Sequence, residues 1–171
     1  AAQEEGKTGY KFTLHFPSFY PVLQFGENRA LREKLYRANS TKASELGENP
    51  EWDNTSIIKD ILQLRKEEAH LLGFDNYAQL SLVPKMANSP EEVIHFLEDL
   101  GKRAKPFGEK DYSELKQFAK DQLSLDQLSS WDVAFASEKL REQRYAFSEQ
   151  EVKQYFPEDK VINGLFHLVE K

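Results

Sequence analysis

The sequence predicts a mainly α protein: a multi-helix array with a short β element near the amino end. Three observations predict it. Apolar residues recur at three- and four-residue spacing over most of the 171 residues, the pattern of helices that bury one face. Cap and stop residues punctuate those runs, with Asn, Asp or Ser before them and Gly after. Strict alternation, the mark of a half-buried strand, is confined to the amino-terminal stretch.

Taken in order, the chain opens on a polar terminus. Phe12, Leu14 and Phe16 then alternate with Thr13 and His15, as a strand would, and Pro17 ends the run. Pro21 precedes a second short extended segment, Val22-Leu23-Gln24-Phe25, and Gly26 breaks the chain. Residues 1–26 are therefore expected to hold short extended segments, and 27–171 a helical segment. Asn28 is placed to cap a helix from about Arg29 to Leu46, with Leu31, Leu35, Ala38 and Leu46 on one stripe and Gly47 as its stop. Asp53 or Asn54 caps the next, from about Thr55 to Leu72, which carries Ile57, Ile58, Ile61, Leu64, Leu71 and Leu72 and ends at Gly73. A short helix holds Tyr77, Ala78 and Leu80. Ser89-Pro90-Glu91-Glu92 is the clearest start signal, with Ser at the N-cap, Pro at the first helical position and Glu at the third. The helix it opens is expected to bury Val93, Ile94, Leu97, Leu100 and Ala104. Pro106 and Gly108 separate it from a helix containing Leu115, Phe118 and Ala119. Further helices are expected from about Asp132 to Arg144 and, after the Ser148-x-x-Glu151 capping box, from about Glu149 to Tyr155. A last periodic segment after Pro157 carries Val161, Leu165, Phe166 and Val169. Its apolar stripe is still running at His167-Leu168-Val169, so it is expected to continue into a part not included here.

Composition excludes several classes of function. At 39% hydrophobic and 30% charged residues, the chain has the balance of a globular protein. It has no cysteine, which removes disulfides, Cys-rich zinc sites and thiol nucleophiles and suits a reducing cytoplasm. A net charge of −6 without a basic stripe argues against nucleic acid as a partner. No apolar run approaches the roughly 20 residues that span a bilayer, so no membrane role is expected. Ala1-Ala2-Gln3-Glu4-Glu5 does not resemble a secretory signal. The sequons at Asn39 and Asn54 are accordingly read as chance.

Chemistry is sparse. The four histidines, His15, His70, His95 and His167, belong to no H-E-x-x-H, and no G-x-S-x-G elbow or phosphate-binding glycine loop occurs. Glu67-x-x-His70 and Glu92-x-x-His95 each spell E-x-x-H, the unit that dimetal carboxylate bundles direct inward. At about 100° per residue, however, Glu92 lies roughly 120° from its apolar stripe and His95 nearly opposite, and Glu67 and His70 likewise fall away from theirs. Glu68, by contrast, falls on the apolar stripe of its helix. Either it pairs with a base at the rim of a packing surface, or that surface meets another polar element or a missing part of the protein. Lys102, Arg103 and Lys105 are expected in a last helical turn, facing the negative end of its dipole. Most of the late aromatics, Trp131, Phe135, Tyr145, Phe147, Tyr155, Phe156 and Phe166, are expected in the core.

Several segments in order carry a further signal. They are Phe12-Thr13-Leu14 with Pro17-Ser18 and Pro21, then Ala30-Leu31-Arg32 and Tyr36-Arg37-Ala38. Leu64-Arg65, Glu67, Ala69 and Leu71-Leu72-Gly73-Phe74 follow, with Asn76-Tyr77-Ala78 and Lys85-Met86-Ala87. Trp131-Asp132, Ser137-Glu138-Lys139, Tyr155-Phe156-Pro157 and Asn163-Gly164-Leu165-Phe166 complete the series. Together they resemble the family of oligopeptidase A and thimet oligopeptidase, helical zinc metallopeptidases that cut short peptides. Ala134-Phe135-Ala136 departs from the tyrosines the family tends to place after Trp-Asp.

The resemblance implies part of a larger helical zincin-type peptidase fold. In that family H-E-x-x-H and a downstream Glu hold zinc, and the chain stops before them. No catalytic, cofactor-binding or metal residue is therefore assigned to any position here, and zinc is implied only for the intact parent enzyme. The implied role is a non-catalytic channel wall, with short peptides and a missing catalytic half as partners. The alternative is a self-contained helical module that binds peptides or a protein without cleaving them. Surfaces left bare by a missing half would favour self-association.

Overall fold

The computed structural model describes residues 2–146 and 149–170. Regular structure among them is helical, and the predicted β element is absent. The chain forms two units: Ala1–Leu35 with Leu115–Lys171, and Tyr36–Glu114.

The first correction concerns the amino end. Phe16–Phe25 is a helix, α1, so the second extended segment is helical and the first, ahead of Phe16, pairs with no strand. Pro17 lies in its first turn, where the missing N–H would have no helical partner anyway. Pro21 costs one backbone bond inside the helix. Burial outweighs that loss, because Phe19 and Leu23, one turn apart, pack inward where α1 meets α6, Val133–Tyr145. Phe135, Ala136 and Glu138 are the buried residues of α6. Beside them Leu115, Ala119, Leu128 and Ala136 form the main apolar cluster of this unit.

Helix α2, Arg29–Ser40, is capped as expected: the Asn28 side-chain oxygen accepts the Leu31 N–H at 3.0 Å. It stops one and a half turns short of Leu46. Thr41 Oγ1 donates to the Arg37 carbonyl and Ser44 Oγ to the Thr41 carbonyl, side-chain bonds that compete with helix propagation.

In the second unit, α3 spans Thr55–Leu71 and α4 Tyr77–Leu82. Of the two candidate caps for α3, Asp53 does the work, accepting both the N–H and the hydroxyl of Thr55. Gly73, at φ +82°, ends the helix in a conformation that costs other residues energy. The Phe74 N–H reaches the Ala69 carbonyl and the Gly73 N–H that of His70, the paired bonds of a Schellman stop. Asn76 caps α4 through the Gln79 N–H.

Helix α5 is the second correction. It runs unbroken over Pro90–Leu123, through Pro106 and Gly108. The Ser89 cap is as predicted, with Ser89 Oγ accepting the Glu92 N–H, while the Glu92 carboxylate accepts the Asn88 N–H. Pro106 withholds a bond from the Lys102 carbonyl, but both residues are exposed, so solvent can satisfy that carbonyl. Lys102, Arg103 and Lys105 are consequently mid-helix, not in a last turn. Arg103 pairs with Asp99 and Lys105 approaches Glu109, each one turn away.

A 3-10 turn, Ser130–Asp132, leads into α6, and α7, Glu149–Lys153, and α8, Glu158–Val169, follow. Ser148 and Phe147 lie outside the described residues. The expected burial of the helical stripes fails over much of the chain. Ile57, Ile61, Leu64, Ile94, Leu97, Leu100, Val161 and Leu165 are all exposed, and so are Tyr145, Tyr155, Phe156 and Phe166. Of the late aromatics described, Phe135 is buried and Trp131 half-buried.

Candidate functional site

The residues that spelled metal motifs do not assemble one. Glu67, His70, Glu92 and His95 are all exposed. Glu67 accepts a bond from Gln63 Nε2, the His70 ring meets the Asp75 carbonyl at 3.0 Å, and Glu92 serves the α5 cap. His15 and His167 are exposed as well. Among the described residues no group of three or more His, Asp or Glu side chains is placed to hold a metal ion. The donor set therefore does not fit zinc.

What the fold does bury is an ionic network in the first unit. Asp132 is fully buried at the start of α6, and Arg32 of α2 is only 2% exposed. Arg32 donates to Asp132 Oδ1 at 2.9 Å, and Arg29 clasps both carboxylate oxygens at 2.7–3.1 Å. The Ser129 N–H donates to Oδ2 at 3.2 Å. Arg32 also donates to the Gly26 carbonyl at 2.7 Å and lies 4.2 Å above the centre of the Phe135 ring. A second pair continues the network: Glu138 accepts from Gln24 of α1 at 2.9 Å and from Arg141 one turn on. Burial alone pushes the Asp132 carboxyl up, but the Arg29 and Arg32 guanidinium groups and the Ser129 N–H outweigh it and hold the group below its ordinary value. The same bond to Asp132 raises Arg29.

Every contact made by Asp132 is thus spent on the fold. The network ties α1 and α2 to residues about one hundred positions away, Arg32 to Asp132 and Gln24 to Glu138. It can fix geometry and keep a buried carboxylate ionised, and it offers no free acid or base to a substrate. Sequence reasoning noticed Trp131-Asp132 and Ala30-Leu31-Arg32 as words without seeing that they meet. The available signal was Arg32, three residues before Leu35, on the buried side of its helix.

The second unit contains an open cleft of about 500 Å³ lined by Phe74, Gln79, Leu82, Val83, Lys85 and Asn88, among others. Its polar groups serve local turns. Gln79 accepts the Asp75 N–H, Lys85 bonds Ser81 and Asn88 bonds Glu92. The larger feature of this unit is apolar: exposed aliphatic side chains run along α3 and along the first half of α5. No helix among the described residues is long and apolar enough to cross a membrane, so these faces do not read as membrane spans.

Comparison with known proteins bears on what such faces are for. Residues 22–171 match Peptidase family M3. Oligopeptidase A of Haemophilus influenzae is 48% identical over 172 residues, covering 100% of this chain and 25% of the relative. Oligopeptidase A of Escherichia coli is 49% identical over 173 residues, with 99% and 25% covered. Saccharolysin of Saccharomyces cerevisiae is 29% identical over 174 residues, with 98% and 23% covered. The chain spans about a quarter of the length of the curated relatives it matches.

Proposed function

The chain belongs to peptidase family M3, and we propose that it supplies non-catalytic helical scaffold, including channel wall, to a zinc-dependent oligopeptidase that hydrolyses short peptides. The observation that carries this reading is the match from residue 22 to residue 171 alongside relatives named oligopeptidase A that are about four times as long. Two structural features support it. The described residues offer no metal-ligand cluster, and in this reading zinc and the catalytic groups are supplied by the rest of the longer protein. The exposed apolar stripes of α3, α5 and α8 suit helices that are covered by further chain. A cysteine-free composition supports a cytoplasmic setting.

Bare apolar faces of this kind also suit a module that captures peptides or a partner without cutting them. One experiment separates the two. Zinc content and cleavage of a short quenched-fluorescent peptide are measured on the 171-residue chain and on the product of the complete reading frame. The scaffold reading expects zinc and cleavage from the longer product alone. Zinc binding and cleavage by the 171-residue chain would overturn it, and peptide capture without cleavage by both would favour the binding module.

A further inference from the structure

We draw no further inference here: the strongest candidate, the bare apolar surface that α3 and the first half of α5 present in the second unit, carries nothing because nothing in the structure shows what covers it.

Discussion

Asp132 joins α2 to the start of α6, and its surroundings state what its removal would do. Asp132→Asn leaves the Arg32 guanidinium buried without its counter-charge, and should destabilise the first unit by about 3–5 kcal/mol, measured by urea denaturation. Arg29 is less committed, with its side chain 47% exposed, so Arg29→Ala should cost about 1 kcal/mol or less by the same measurement. The pH dependence follows from the lowered pKa of Asp132. A carboxyl held lower in the folded state contributes its stability above the ordinary carboxylate range. That stability is lost as pH falls from about 4 through the folded-state value. Acid titration followed by circular dichroism should show a transition there that is blunted in Asp132→Asn. Gly26 sets a steric limit beside this site: a Cβ would lie 2.4 Å from the Val22 carbonyl oxygen. Gly26→Ala should therefore cost about 1–3 kcal/mol through displacement of the turn that feeds Arg32 its carbonyl partner.

At the scale of elements, helix caps were legible in the sequence and helix ends less so. Asn28 and Ser89 cap the helices they were expected to cap, and Asn76 does the same for α4 without having been singled out, because a short polar side chain before a periodic run satisfies N–H groups that nothing else reaches. Pro106 misled, since a proline penalty can be absorbed in a long helix whose freed carbonyl meets water. Pro106→Ala should return that bond and stabilise the middle of α5 by up to about 3 kcal/mol, seen as slower amide exchange near Lys102 and Arg103. The end of α6 holds a smaller reserve. Ala146 adopts φ +56° while its N–H bonds the Glu142 carbonyl. Ala146→Gly relieves a left-handed alanine and should raise stability by about 0.5–1 kcal/mol, read as a higher thermal midpoint.

At the scale of the molecule, apolar periodicity and burial part company. The stripes of α3, α5 and α8 are real in sequence and bare in the structure, which a periodicity argument cannot distinguish from a core. We expect the 171-residue chain to self-associate with rising concentration, visible as an increasing weight-average mass in sedimentation. Ile94→Asp with Leu97→Asp, on the face of α5, should suppress it. The sequence by itself determined the helical class, most helix starts and, through its ordered words, the family. These rest on short-range spacing and capping chemistry. Only the tertiary structure decided that residues 16–25 form a helix, because the burial of Phe19 and Leu23 where α1 meets α6 outweighs the backbone bond lost at Pro21. It alone brought Gln24, Arg29 and Arg32 to Asp132 and Glu138 across about a hundred residues, because a carboxylate is buried only where the folded chain gathers enough cations and donors to compensate it.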